Sequence, residues 1–174
     1  MVLKPVEMIL SREDIAKIVS DIGGQISNDM KDLNPLFLVV LKGAVVFAAD
    51  LMRSVSIPIH LDFINARCYG NSMAPGNIWV DIPEEIIVKD RFVVIIEDII
   101  DTGTTLRAML DKLKNRNPKD IVVASLLSKP ERRKFDVPID YLGFEVPNTF
   151  IVGYGMDFAE KFRRLPDIMG LEEI

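Results

Sequence analysis

The segment from residue 91 to residue 106, RFVVIIEDIIDTGTTL, limits the fold more than any other part of the chain. Residues 93–96 are apolar and β-branched without polar alternation, which is typical of a central strand buried on both faces of a parallel sheet. Two acids, Glu97 and Asp98, follow directly. Because ligands of open α/β sheets bind beyond the carboxyl ends of the strands, the segment predicts an α/β fold and also the place of its site.

The loop after these acids has the composition of a phosphate site. It reads Asp101, Thr102, Gly103, Thr104 and Thr105, and apolar residues at helical spacing follow it. Free N–H groups at a helix N-terminus, hydroxyls and a flexible glycine suit one phosphate group. A Walker A loop does not fit, because no lysine follows the glycine. The two preceding acids can bind vicinal hydroxyls or a metal, so the combined segment predicts a ribose 5-phosphate ligand.

Composition bounds the metal chemistry and the partners. The chain has 174 residues, which fits one domain, 1–174. Its single cysteine, Cys68, and single histidine, His60, leave only oxygen ligands for a metal, which favours Mg²⁺ shared with substrate phosphates. The net charge of −5 argues against nucleic acid as a partner. No apolar run reaches the roughly 20 residues of a membrane span, and we expect a cytoplasmic protein without a membrane partner.

Hydrophobic spacing predicts alternating helices and strands. We expect helices from Ser11 to about residue 31, with Ser11 and Asp14 as a capping signature, at 43–52, and after residue 105. Strands are expected at 36–41, 59–66, 77–81, 93–96, 121–127, 141–143 and 151–152. Residues 69–76 are rich in turn formers and are expected to form a mobile loop at the tip of a long hairpin. The alternation predicts a twisted, mostly parallel sheet.

The chain resembles the phosphoribosyltransferases, and within them the hypoxanthine-guanine (6-oxopurine) phosphoribosyltransferases. Residues 93–106 resemble that family's binding motif for phosphoribosyl pyrophosphate. Further segments agree in the family's order: LKG at 41–43, CYG at 68–70, LLSK at 126–129, GFEVP at 143–147 and FIVGYGMD at 150–157. Ordered agreement of this kind is far more specific than any single motif.

The resemblance implies the fold, the reaction and the partners. The fold is of the type I phosphoribosyltransferase kind, with a small lobe over the carboxyl edge of the sheet made by the N-terminal few residues and roughly 129–174. The reaction is a step of purine salvage: the 5-phosphoribosyl group passes from phosphoribosyl pyrophosphate to hypoxanthine or guanine, which gives IMP or GMP and pyrophosphate. Relatives commonly assemble, which implies a homodimer or homotetramer.

The resemblance also assigns roles within the central segment. Glu97 and Asp98 bind the ribose hydroxyls and, with Asp157, the metal. Asp101 is the catalytic residue at the purine N7 edge, where it can act as a general base. The expected contacts to ribose and 5′-phosphate are Glu97, Asp98, Asp101, Thr102, Gly103, Thr104 and Thr105.

Pyrophosphate and purine are assigned to residues outside that segment. The expected pyrophosphate residues are Lys42, Gly43, Cys68, Tyr69 and Arg163, and in the family the peptide before the matching lysine can be cis. The expected purine residues are Lys129, Phe150, Ile151 and Asp157. Lys129 ends an apolar strand, an odd place for an ammonium without a partner, and its donor suits O6 of the base. The ring of Phe150 can stack on the purine, and the backbone of Ile151 can accept from N1–H or a 2-amino group.

Other interpretations remain open at this point. The central segment could be only an acidic turn and a capped helix, although capping needs one polar residue and this stretch has three acids and three threonines. Asp98 and Asp101 loosely resemble an aspartyl-nucleophile phosphatase loop, but two residues separate these acids, where that loop has one. Cys68 could be a reactive thiol, although the single histidine, His60, is distant from it and lies in a strand pattern. A nucleotide-sensing regulator on the same fold is the alternative outside enzymes, and the acidic charge argues against it.

Overall fold

The computed structural model describes residues 3–68 and 78–173. Its helices are α1 Arg12–Asp29, α2 Val45–Ser54 and α3 Thr104–Lys114, with a 3-10 turn at Pro130–Arg132. Its strands are β1 Leu3–Leu10, β2 Leu36–Leu41, β3 His60–Cys68, β4 Ile78–Asp81, β5 Phe92–Ile100, β6 Asp120–Ser128, β7 Tyr141–Glu145, β8 Phe150–Val152 and β9 Ile168–Glu173. They form a six-stranded sheet and a three-stranded sheet.

The six-stranded sheet has the order β4-β3-β2-β5-β6-β7. All neighbours in it are parallel except β3 and β4, which pair antiparallel. The prediction of a mostly parallel α/β sheet is therefore confirmed, and β5 is a central strand between β2 and β6. The tip of the β3–β4 hairpin lies outside the described residues, so the expected mobile loop stays a prediction.

Successive residues of β5 point into two different cores, as a strand covered on both faces requires. Val94 and Ile96 belong to the core beneath α1 and α2, whereas Val93 and Ile95 belong to the core beneath α3. Each of these four side chains is at most 1% exposed. Residues 93–96 are thus all apolar because helices cover both faces of the sheet at β5.

Helix α1 begins at the predicted cap. The hydroxyl of Ser11 accepts from the backbone N–H of Asp14 at 3.1 Å and donates to the Asp14 carboxylate at 2.6 Å, a reciprocal arrangement that fixes the helix start. Helix α2 begins two residues later than predicted, because Lys42 and Gly43 belong to the turn after β2. Ala44 is its N-cap with φ −73°, a conformation that needs no glycine.

The three-stranded sheet is antiparallel with the order β1-β9-β8, so it joins the first and last described strands. Sequence patterns predict neither β1 nor β9, and their pairing has register irregularities. One part of the stretch expected to form the small lobe lies elsewhere: β7 pairs with β6 in the six-stranded sheet. The buried ring of Tyr141 explains this, since it packs in the core with α1 and its hydroxyl donates to Asp29 at 3.2 Å.

In the part of the chain that the structure describes, no helix is long and apolar enough to cross a membrane.

Candidate active site

The carboxyl ends of three neighbouring parallel strands bring the predicted residues together. Strand β2 ends just before Lys42, β5 just before Asp101, and β6 just before Lys129. Because β2, β5 and β6 are adjacent and point the same way, their following loops meet at one edge of the sheet. The backbone N–H of Lys129 donates to the carbonyl of Ile100 at 2.9 Å and ties two of these loops together.

A small cavity of about 80 Å³ lies where β5 passes into α3. Its walls include five of the seven residues expected to bind the ribose phosphate: Glu97, Asp101, Thr102, Gly103 and Thr105. Thr104 is buried as the first residue of α3, and its hydroxyl lies 2.8 Å from the hydroxyl of Thr102. The cavity therefore combines a helix N-terminus with hydroxyls, the donors that a phosphate group needs.

The segment after β6 braces this phosphate loop. The carbonyl of Thr102 accepts from the backbone N–H groups of Lys134 at 3.0 Å and Phe135 at 3.3 Å. Gly103 has φ +79°, and a Cβ added to it would lie 2.8 Å from the carbonyl oxygen of Phe135. The guanidinium of Arg133 donates to Ser128 Oγ at 2.6 Å and so holds the brace against β6. Only glycine fits position 103 in this arrangement.

The two acids at the end of β5 are poorly solvated. Burial, and then the charge of Asp98, raise the pKa of the Glu97 carboxyl well above its usual range, and Oε2 of Glu97 is buried without a hydrogen-bond partner among the described residues. Burial raises the pKa of Asp98 to about 6, although the N–H of Ile99 donates to its Oδ1 at 2.8 Å. Such buried carboxylates call for a cation or a hydroxyl donor.

A second cavity of about 200 Å³ adjoins the first, since Ile99 and Asp101 line both. It contains all four residues expected at the purine: Lys129, Phe150, Ile151 and Asp157. Its other walls are Asp98, Ile99, Asp101, Arg132 and Met156.

Lys129 and Phe150 present polar and aromatic groups to this second cavity. Lys129 is 5% exposed, burial lowers its pKa, and its Nζ donates to the carbonyl of Thr149 at 2.6 Å. Phe150 is 50% exposed and meets the ring of Phe158 edge to face, with centroids 5.2 Å apart. Lys129 follows β6 and reaches Thr149 just before β8, whereas Phe150 is the first residue of β8, a strand at the edge of its sheet among the described strands. The cavity thus offers a flat aromatic surface beside a buried donor.

Asp101 stands between the two cavities and is paired with a residue that the sequence did not single out. Its Oδ1 lies 3.1 Å from Nε of Arg132, but the angle is not that of a hydrogen bond, and this oxygen has no hydrogen-bond partner among the described residues. Arg132 lies three residues after Lys129 on the 3-10 turn, so both cations face the same carboxylate. In the sequence Arg132 is one residue of a basic run, and nothing there pairs it with Asp101.

The turn after β2 touches the acids directly. The peptide between Leu41 and Lys42 is cis, as the family resemblance implies. A Cβ on Gly43 would overlap the carboxylate of Asp98, and a Cβ on Gly155 would overlap the carbonyl of Gly43. Glycine at these two positions lets the turn, β5 and the loop that carries Arg163 approach one another.

Arg163 and Lys42 share one carboxylate partner on that loop, Glu160. Arg163 donates to the carbonyl of Gly155 at 2.8 Å and forms an ion pair of 2.7 Å with Asp157. Glu160 lies 3.3 Å from Nζ of Lys42 and 3.4 Å from Arg163. The hydrogen bond and charge of Lys42, followed by those of Arg163, lower the pKa of Glu160. No sequence pattern selects Glu160, since a lone glutamate in a charged loop usually faces solvent.

Two predicted pyrophosphate residues lie at or beyond the limit of the description. Cys68 is the last residue of β3 and pairs with Ile78, whereas Tyr69 lies outside the described residues. Within residues 3–68 and 78–173, no group of three or more histidine, cysteine or acidic side chains is arranged to hold a metal unaided. Glu97, Asp98 and Asp157 are thus not a preformed metal cage.

A larger cavity of about 550 Å³ lies at the opposite edge of the sheet, near Asp90 and Lys119. It borders the amino ends of β5 and β6, where parallel α/β sheets do not place their chemistry. The smaller pair of cavities holds the clustered acids, the glycine loop and the buried lysine, and we take that pair as the active site.

The ordered motifs and this geometry agree with comparisons to known proteins. A family model described as a phosphoribosyl transferase domain matches residues 5–159. The chain belongs to the phosphoribosyltransferase family. The Bacillus subtilis hypoxanthine-guanine phosphoribosyltransferase is 40% identical over 163 residues, which cover 93% of this chain and 91% of that protein. The Dictyostelium discoideum protein of the same name is 42% identical over 174 residues, 96% of each chain.

Solved structures place this phosphoribosyltransferase in the same group. A crystal structure of a hypoxanthine-guanine phosphoribosyltransferase from Bacillus anthracis has a TM-score of 0.91 and 35% identity, and the match covers 99% of this chain and 100% of that one. A hypoxanthine phosphoribosyltransferase from Staphylococcus aureus gives a TM-score of 0.92 at 33% identity, over 97% and 92% of the two chains. The resemblance recognised in the sequence, and the fold it implies, are confirmed.

Proposed function

We propose that this phosphoribosyltransferase moves the 5-phosphoribosyl group of phosphoribosyl pyrophosphate to hypoxanthine or guanine and releases pyrophosphate. The observation that carries the proposal is the pair of adjoining cavities with Asp101 in the wall of both. One cavity has the donors for a 5′-phosphate, and the other has a buried ammonium beside an aromatic ring. A bond formed where the two cavities meet joins a ribose phosphate to a flat base.

The residues divide the chemistry among them. N9 of the base attacks C1′ of the ribose, the bond from C1′ to the pyrophosphate oxygen breaks, and the leaving group takes that electron pair. Asp101 accepts the proton that the base loses at N7. The charges of Glu97 and Asp98 stabilise the positive ribose ring that develops between the two bonds. Lys129 donates to O6, which gains electron density as the base loses its proton.

Magnesium is the expected cofactor, and the residues present fit it. Glu97, Asp98 and Asp157 offer hard oxygen ligands, and Oε2 of Glu97 is buried without a partner among the described residues. Since no three of the described acids form a complete cage, the ion would share its ligands with the substrate and water. When bound, magnesium supplies positive charge to the diphosphate group.

A homodimer or homotetramer is the proposed assembly. Leu61, Phe63 and Trp79 alternate onto one face of the β3–β4 hairpin, and each is at least 36% exposed. Exposed apolar side chains grouped in this way suit a protein interface. Sedimentation of the wild type and of a Phe63→Ser, Trp79→Ser double variant tests this: the variant should be the smaller species, and a monomeric wild type would contradict the proposal.

Ultraviolet-monitored turnover tests the reaction itself. Guanine and hypoxanthine should be converted with phosphoribosyl pyrophosphate and Mg²⁺, whereas adenine should not. Turnover of xanthine, the third oxopurine, is measured for comparison with the other two. A chelator should abolish turnover, and added Mg²⁺ or Mn²⁺ should restore it. Full activity in metal-free buffer would remove the metal from the proposal, and absence of turnover with all three oxopurines would remove the substrate class.

A further inference from the structure

Glu160 occupies the space between the two cations assigned to pyrophosphate. Its Oε1 lies 3.3 Å from Nζ of Lys42, and its Oε2 lies 3.4 Å from Nη2 of Arg163. Each carboxylate oxygen therefore faces a different cation. A diphosphate group bound to the same two residues would present its oxygens in the same way, so both anions cannot be held there at full strength.

A strained turn holds Glu160 in this position. Phe158 and Lys161 bridge to each other, and the two residues between them, Ala159 and Glu160, have φ of +50° and +61°. Two successive left-handed residues form a tight hairpin turn in which glycine and asparagine are usual, so two side chains with a Cβ carry a cost. The backbone N–H of Glu160 donates to Asp157 Oδ2 at 2.8 Å and fixes the turn to the site. Strain of this kind persists mainly where function requires it.

The contacts of Glu160 are the ones that an incoming anion can break. The Lys42 and Glu160 side chains are 62% and 70% exposed, and ion pairs this exposed are weak. Asp157 and Arg163, by contrast, are 26% and 29% exposed and lie 2.7 Å apart. A diphosphate group carries several charges and binds a guanidinium through two parallel hydrogen bonds. The diphosphate group is therefore expected to displace Glu160 from the two cations and to leave the ion pair between Asp157 and Arg163 intact.

We propose that Glu160 is a counterion that competes with the diphosphate group for Lys42 and Arg163. It weakens the binding of phosphoribosyl pyrophosphate and of released pyrophosphate, and it returns to the two cations as pyrophosphate departs. Glu160 thus sets the affinity of the diphosphate subsite and does not touch the reacting atoms. This inference rests on the proposed function and on the family resemblance, which assigns Lys42 and Arg163 to pyrophosphate.

Binding of pyrophosphate to the Glu160→Gln variant tests the inference. Glutamine keeps the shape of the side chain and removes its charge, so calorimetric titration of the wild type and the variant with pyrophosphate and Mg²⁺ compares the same site with and without the competitor. We expect the Kd for pyrophosphate to fall by about threefold, the effect of releasing weak exposed ion pairs. Product inhibition by pyrophosphate should strengthen by the same factor.

Two further variants separate this effect from a general change of charge. Glu85→Gln removes an exposed charge on the loop after β4, and its Kd should match that of the wild type. The gain in pyrophosphate affinity from Glu160→Gln should be smaller when Lys42 is replaced by methionine. One of the two cations for which Glu160 and pyrophosphate compete is then absent. Unchanged or weaker binding by Glu160→Gln would overturn the inference. A wild type that binds no pyrophosphate would instead overturn the assignment of the subsite.

Discussion

The carboxylate of Asp101 lines both cavities of the candidate site, and we propose that it acts as the base there. Replacement by asparagine keeps its size but removes the base, so we expect kcat to fall by about a hundredfold. Stability should change little, because the ion pair with Arg132 joins side chains that are each 34% exposed. Steady-state kinetics with guanine and a urea titration measure the two effects. Asp111→Asn, on the exposed face of α3, is the control, and turnover within twofold of the wild type would remove Asp101 from the mechanism.

We expect base selection to depend on the buried ammonium of Lys129. An oxopurine accepts its hydrogen bond, whereas the amino group of adenine points another donor at it and leaves the charge unpaired. Lys129→Met should therefore lower kcat/KM for guanine and hypoxanthine and narrow the gap to adenine. The exposed Lys17→Met variant on α1 should keep the base preference of the wild type. An unchanged preference in Lys129→Met would contradict the role assigned to this residue.

A residue that stands at an unusual position in the sequence could be predicted. A residue whose role depends on the partner it meets in the folded protein could not. Lys129 at the end of an apolar strand and Asp101 before a helix N-terminus are each visible in the sequence. Arg132 and Glu160 are ordinary surface residues until the loops fold and bring them to Asp101 and Lys42. For Glu160 that folding depends on left-handed backbone at non-glycine positions, which sequence patterns do not announce.

At the scale of elements, the passage from β5 into α3 depends on Gly103. Alanine there must adopt φ near +79° and place its Cβ against the carbonyl of Phe135. We expect Gly103→Ala to lower the free energy of unfolding by about 2 kcal/mol and to raise KM for phosphoribosyl pyrophosphate. Urea titration and steady-state kinetics measure both.

Gly24 in α1 provides the matched comparison for Gly103. It lies in open space, so alanine there should raise the free energy of unfolding by about 0.5 to 1 kcal/mol through its higher helix propensity. Similar stability changes at Gly24 and Gly103 would show that the phosphate loop does not require glycine.

Strands of the larger sheet could be predicted because buried strands appear in the sequence as short apolar runs. The smaller sheet depends on pairing between residues far apart in the sequence. Strand β2 has the predicted bounds, and β6 exceeds them by one residue at each end. Strands β1 and β9 contain Pro5 and Gly170 and pair with each other across the whole length of the described chain. No local pattern reports such a partner. The same holds for β7, whose sheet is decided by the packing of Tyr141 against α1.

At the scale of the whole molecule, the acids of the site lower the stability of the free protein. The pKa of Asp98 is about 6 in the folded protein, against 3.8 for an aspartate in water, so the folded state holds a proton that the unfolded chain has released. The free energy of unfolding therefore falls as pH rises through this window, and Glu97 acts with the same sign. For Asp98 alone the loss is about 2 to 3 kcal/mol.

Asp98→Asn should remove this pH dependence. We expect the variant to be more stable than the wild type at about pH 7.5, similar at about pH 4, and less active. Urea titrations at the two pH values measure the difference in the free energy of unfolding between the variant and the wild type. A loss of activity in the same variant shows that the substitution altered the site. A variant that is less stable at the higher pH would contradict the buried charge as the cause.

The order of the strands along the chain has a consequence for synthesis on the ribosome. The wall of the purine cavity includes β8, which pairs with β9, and β9 in turn pairs with β1. All six strands of the larger sheet and the phosphate loop lie before residue 146, but the wall of the second cavity is complete only when the last described strand has joined the first. A nascent chain stopped before residue 168 would have the whole phosphate loop but would lack the strand that pairs with Phe150 and Ile151 in the wall of the second cavity.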